Sequence, residues 1–180
     1  SQRFGEGDKL QALLCDKPVL DHVVDTVSEV GFGQIYLVTT EAAHPTRPRI
    51  TNILNLNPDA GQGFALGLGL RRVLSDGWGE GCVCLGDMPA VSVVNFVNLL
   101  DKITVNQSVV SECKSMRLPP VIFTRADMEL IISHNPPLRG RKLFDRTHPL
   151  TVSISTLAAM DIDTPADLDR VEAMMRATPS

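Results

Sequence analysis

No apolar run in the sequence approaches the roughly 20 residues that a membrane-spanning helix requires, so a role across a bilayer is not expected. Positive charge is not in excess either. Lys and Arg number 17 against 21 Asp and Glu, and the net charge of −4 argues against broad affinity for nucleic acid. Cysteine is sparse: Cys15, Cys82, Cys84 and Cys113 form no C-x-x-C pair, so neither a zinc cluster nor a disulfide framework is expected. Small buried thiols in a reducing cytoplasm are the expectation, and no secretory or basic amphipathic targeting stretch argues otherwise. Repeats and low-complexity tracts are missing as well, and 180 residues suffice for one domain with a full core.

What is present is the alternation of short apolar runs with helical periodicity. Cys82, Val83, Cys84 and Leu85 form a continuous apolar run bounded by Gly79, Gly81 and Gly86, the pattern of a strand buried on both faces. Asp87 and Pro89 follow at once. In an open α/β sheet, ligands bind beyond the carboxyl ends of the strands, so Asp87 is placed either to hold a metal ion or to cap the next helix.

Elsewhere Pro18 to Val30 carries valines and leucines at helical spacing and ends at Gly31; Gln34 to Thr39 and Ile50 to Leu56 read as strands, with a polar loop at 41–48 between them. Asn57 to Gly63 is a turn leading into an apolar helix that holds Gly61, Gly63, Gly67 and Gly69. Each glycine inside a helix costs about 1 kcal/mol relative to alanine. Close approach to a ligand or tight packing on the sheet would account for them.

Ser92 to Ile103 reads as a helix capped by Ser92, Ser108 to Cys113 and Pro120 to Phe123 as strands, and Arg125 to Ser133 as a helix. Arg139, Arg141, Lys142 and Arg146 form a basic patch, the pattern of a solvated face or an anion site. Leu150 to Ser155 alternates as a strand, and a terminal helix runs from Ala166 to Met175 behind Asp161-Ile162-Asp163-Thr164-Pro165, with Asp163 or Thr164 as its cap. The opening Ser1 to Leu10 is glycine-rich and charged. Such a loop can turn N–H groups toward phosphate oxygens, or simply be a mobile tail. Together these elements predict a single three-layer α/β/α, Rossmann-like domain with a mostly parallel sheet.

Two acidic turns therefore stand before helices: Gly86-Asp87-Met88-Pro89 and Asp161-Ile162-Asp163-Thr164-Pro165. Carboxylates meeting at one sheet edge could share a hard cation with a nucleotide's phosphates, since Mg²⁺ takes few protein carboxylates and fills its remaining positions with water and phosphate oxygens.

S-x-R-x-G, D-K-L, N-P-D-A-G-Q-G, L-G-D-M-P and D-I-D-T-P-A-D-L occur in the order found in MobA-like nucleotidyltransferases, and the chain resembles that family over nearly its whole length, most closely its molybdenum cofactor cytidylyltransferases. The resemblance implies a nucleotide-diphospho-sugar transferase type of fold over residues 1–180. It also implies a first apolar strand and L-A-A-G or L-A-G-G segment upstream of the sequence in hand.

On the matching positions, Arg3 and Lys9 would contact the nucleotide phosphates, Gly5 and Gly7 would let the loop wrap them, and Asn57 and Gly61 would approach the nucleotide. Asp87 would bind the metal with Asp163, or with Asp161 in its place. The implied reaction is attack by the terminal phosphate of molybdopterin, or a related phosphorylated acceptor, on the α-phosphate of CTP or GTP, with Mg²⁺ as cofactor, Lys9 and Asp87 as catalytic groups and pyrophosphate leaving. A molybdoenzyme would be a further partner; nucleic acid and membrane would not.

The chain departs from the family at Ala65, where a Ser is usual, at Arg117-Leu118-Pro119-Pro120, and at the segment from Asn135 to Arg141. The last two shape the acceptor side in the family. An accessory protein that loads a molybdoenzyme without catalysis, and a sugar-phosphate nucleotidyltransferase, are the alternatives from other classes.

Overall fold

The computed structural model describes residues 8–40, 48–138 and 140–177. Arg3, Gly5, Gly7, residues 41–47 of the polar loop and Arg139 of the basic patch lie outside the described residues. The first described elements form a hairpin, β1 (Leu13–Leu14) and β2 (Lys17–Pro18), closed by Cys15 and Asp16 at positive φ. Helix α1 (Val19–Val30) follows and ends on Gly31 at φ 84, a left-handed cap suited to glycine. Strands β3 (Ile35–Thr39) and β4 (Ile50–Leu54) pair in parallel. A 3₁₀ turn at Pro58–Ala60 leads to α2 (Gln62–Ser75), then β5 (Glu80–Val83), α3 (Val93–Leu100), β6 (Val109–Cys113), β7 (Met116–Thr124), α4 (Arg125–Ser133), α5 (Gly140–Thr147), β8 (Leu150–Ser153) and α6 (Pro165–Ala177).

The four-stranded sheet has the order β5-β7-β6-β8. Here the structure corrects the sequence-based expectation: the ladders are mixed, not mostly parallel, with β5–β7 and β6–β7 antiparallel and β6–β8 parallel. The reason lies in a two-residue turn. Lys114 and Ser115, at φ 50 and 65, close Cys113 onto Met116 as a tight hairpin of the primed kind, whose twist matches that of its strands. Neither residue is the Asn, Asp or Gly that such turns prefer, so the sequence reads there as a loop.

Alternation along β7 distributes its side chains between two cores. Val121 and Phe123 pack with α2, α4 and α5 residues such as Leu70, Met128 and Phe144. Ile122 packs the opposite way, with Leu99 of α3, Val109 and Val152. A further cluster joins Val23 and Val27 of α1 to Met88, Val91 and Phe96.

The α2 glycines serve packing. A Cβ on Gly67 would lie 2.7 Å from Pro137 Cγ, and one on Gly69 would touch Val38 Cγ2 at 3.4 Å. Between β3 and β5, which are not hydrogen-bonded to each other, lies an apolar cavity of about 820 Å³. Its walls include Ile35 and Leu37 of β3, Cys82 of β5, Val24 of α1 and Leu66 of α2. All four cysteines are unpaired thiols, and burial pushes that of Cys84 up to about 11 and that of Cys82 well above its ordinary value.

Candidate active site

The site is assembled from three turns. Asp87 lies just past β5, where Gly86 admits the packing of Leu10 and Leu20: a Cβ there would stand 3.0 Å from Leu20 Cδ1. Asp87 does not cap the next helix. Ser92 does, its backbone N–H and hydroxyl both donating to Asn95 Oδ1 at 2.9 Å. The Asp87 carboxylate is thus left for another purpose, and it is buried, with 8% of the residue exposed.

In the second acidic turn, Ile162 is fully buried among Leu14, Val19 and Val171, which pins the turn onto the β1–β2 hairpin and α6. Thr164 takes the capping role at α6: its Oγ1 accepts from the Asp167 N–H at 3.2 Å, while Asp167 Oδ2 accepts from the Thr164 N–H at 2.9 Å and hydroxyl at 2.7 Å. Asp163 is therefore held in place without being the cap. The Ile162 N–H donates to the Asp87 carbonyl at 2.9 Å, joining the two turns through their main chains.

Lys9 reaches into this junction from the third turn. Its Nζ donates to Asp87 Oδ2 at 2.5 Å and to Asp163 Oδ1 at 2.8 Å. Burial works against the ammonium, but the hydrogen bonds and charges of Asp163 and Asp87 outweigh it, and the Lys9 pKa is raised. Among the described residues, the remaining Asp87 oxygen, Oδ1, is buried without a hydrogen-bond partner, a costly state for a carboxylate oxygen unless a ligand meets it.

The structure brings Lys9, Asp87 and Asp163 together. Asp161, on the other side of buried Ile162, is exposed. Asn57 and Gly61 belong to a separate turn, where the Asn57 N–H donates to Asn55 Oδ1 at 3.0 Å and Gly61, at φ 78, starts α2. Gly61 needs its glycine for that backbone angle. Sequence reasoning placed Lys9 at phosphates and missed its bridge between the carboxylates, because the bridge exists only once both acidic turns have docked.

Among the described residues, no group of three or more His, Cys, Asp or Glu is arranged to hold a metal. Two aspartates with one unpartnered oxygen fit instead a hard divalent ion that takes one or two carboxylates and completes its shell with phosphate and water. Among the described residues, no helix is long and apolar enough to cross a membrane.

A carboxylate pair beyond a sheet strand, bridged by a lysine, is the kind of centre that handles phosphoryl groups on an α/β scaffold. The sequence profile of the MobA-like NTP transferase domain matches residues 1–151, and the chain belongs to that family. No curated protein matches it.

Among solved structures, Rv0371c from Mycobacterium tuberculosis H37Rv is similar at a TM-score of 0.74 with 21% identity, over 96% of this chain and 92% of that one. A second structure of Rv0371c is a complex with manganese, at a TM-score of 0.71 and 20% identity over 94% of each chain. The 4-diphosphocytidyl-2C-methyl-D-erythritol synthase from Anaerococcus prevotii DSM 20548 is similar at 0.72 and 16%, over 98% of this chain and all of that one (100%). Molybdopterin-guanine dinucleotide biosynthesis protein A from Archaeoglobus fulgidus is similar at 0.63 and 16%, over 96% and 93%. At these identities the likeness is one of fold.

Proposed function

We propose that the chain is a divalent-metal-dependent cytidylyltransferase that moves CMP from CTP to the terminal phosphate of molybdopterin and releases pyrophosphate. The observation that carries this reading is the meeting of Lys9, Asp87 and Asp163 at one point, with Asp87 Oδ1 buried and, among the described residues, unpartnered. Asp87 and Asp163 are the residues that would hold Mg²⁺, with Asp161 of the same turn as the reserve ligand. Bound there, the ion supplies charge neutralisation to the triphosphate.

Lys9 adds a positive charge beside the phosphates, and Asn57 and Gly61, with Arg3, Gly5 and Gly7, complete the nucleotide contacts on the strength of the family resemblance. The acceptor phosphate is already ionised, so positioning and charge stabilisation do the work and no strong general base is required.

Manganese in an Rv0371c structure supports a divalent ion in this fold, and the diphosphocytidyl synthase similarity supports CTP. The guanine dinucleotide protein supports GTP as the alternative base and molybdopterin as acceptor. Arg117 and Leu118 lie within β7, paired with Glu112 and Ser111, so the departure from the family turn is built into a strand; this favours an accessory, non-catalytic role as the second reading.

Incubation of the protein with Mg²⁺, molybdopterin and labelled CTP or GTP tests all three. Pyrophosphate release with CTP supports the proposal and release with GTP alone supports the alternative. Nucleotide binding without release supports the accessory role.

A further inference from the structure

We infer that Lys9 is a built-in counter-ion that makes capture of a divalent metal at Asp87 and Asp163 conditional on a polyphosphate. The inference rests on the nucleotidyltransferase reading and concerns the order in which its ligands enter. Lys9 Nζ stands 2.5 Å from Asp87 Oδ2 and 2.8 Å from Asp163 Oδ1, so one tethered cation spans both carboxylates. The Lys9 and Asp87 side chains are only 16% and 12% exposed, which limits screening of that pair by solvent ions. Charge-assisted hydrogen bonds of this length are among the stronger ones, and they engage the same oxygen atoms that a hard cation would need.

A metal ion arriving alone meets those two oxygens already engaged and a positive charge beside them. Among the described residues, the hydrogen-bond acceptors of the Lys9 ammonium are these two carboxylates, so displacing it leaves it unpaired in a half-buried place. A triphosphate changes the balance. Its anionic oxygens offer Nζ new acceptors, so the ammonium can pass from carboxylate to phosphate while the carboxylate oxygens pass to the metal. Among the described residues, Asp87 Oδ1 has no hydrogen-bond partner to lose in the exchange. Metal and polyphosphate are thereby coupled through Lys9, and the coupling is reciprocal: whatever factor the nucleotide adds to metal affinity, the metal adds to nucleotide affinity.

The test uses the whole chain and Mn²⁺ as probe, read by the spin-resonance signal of the free ion, with no acceptor present. The wild-type protein is titrated with Mn²⁺ alone, with CTP and with inorganic tripolyphosphate, after allowance for Mn²⁺ held by the polyphosphate in solution. The expected result is weak binding of Mn²⁺ alone and an affinity at least about tenfold higher with either polyphosphate, the scale of an ordinary coupling between sites. Lys9→Met should bind Mn²⁺ alone at least about tenfold more tightly than wild type and lose most of the polyphosphate effect. Lys9→Arg, which keeps the charge, should retain weak binding of the lone ion.

Equal Mn²⁺ affinity of wild type with and without polyphosphate would overturn the inference, as would unchanged or weaker Mn²⁺ binding by folded Lys9→Met. The wild-type arm decides even if Lys9→Met does not fold. Failure of the protein to bind CTP or GTP at all would instead defeat the nucleotidyltransferase reading, while the Mn²⁺-only comparison of wild type with Lys9→Met would still judge the counter-ion.

Discussion

The carbonyl of Asp87 accepts a hydrogen bond from the N–H of Ile162 at 2.9 Å, so the two acidic turns are fastened by main chain as well as by the Lys9 bridge between their carboxylates. Fully buried Ile162 secures the same junction with apolar contacts. The frame of the site is therefore separable from its charges. Asp87→Asn and Asp163→Asn should each leave the circular dichroism spectrum and cooperative melting intact. Loss of charge complementarity at the phosphates should lower the rate of nucleotide transfer by roughly 10²-fold or more. Asp161→Asn, at an exposed carboxylate, should change the rate little. Equal losses at Asp161 and Asp163 would show that the turn presents the other aspartate to the ligand.

Much of this site was legible in the sequence, since Asp87 follows an apolar strand and the D-I-D-T-P turn sets a buried Ile between two acids. The helix caps Gly31 and Ser92 were legible too, because each carries a known physical signature. The β6–β7 hairpin was not, because Lys114 and Ser115 adopt positive φ without the residues that favour it. Nor was α5, where the basic residues around Leu143 and Phe144 read as a surface patch although those two side chains are buried in the core. The Lys9 bridge depends on contacts far apart in the chain, which no local pattern encodes.

Tyr36, the single tyrosine, reports on the attachment of β3 to the end of α2. Its hydroxyl donates to Asp76 Oδ2 at 2.5 Å and accepts from Trp78 Nε1 at 3.1 Å. Burial, then the hydrogen bond to the Asp76 carboxylate, raise the phenol pKa above 10.0. The folded state thus favours the protonated phenol. That contribution is fully present below the unfolded value of about 10 and is lost as pH rises through the higher folded value. Ultraviolet titration of the phenolate should give a midpoint above that of the unfolded chain, and Asp76→Asn should move it back down. A midpoint unmoved by Asp76→Asn would mean that the hydrogen bond does not form.

The glycines of α2 make opposite predictions. Alanine in place of a helical glycine normally stabilises by up to about 1 kcal/mol. At Gly69 the new Cβ would make ordinary contact with Val38, so Gly69→Ala should raise the melting temperature. At Gly67 the Cβ would fall 2.7 Å from the Pro137 ring, which cannot swing aside as a flexible side chain does. Overpacking of this kind costs about 1–3 kcal/mol, so Gly67→Ala should be neutral at best and destabilising in the usual case. Adding Pro137→Ala should recover part of the loss. A clear gain in stability from Gly67→Ala alone would refute the close approach.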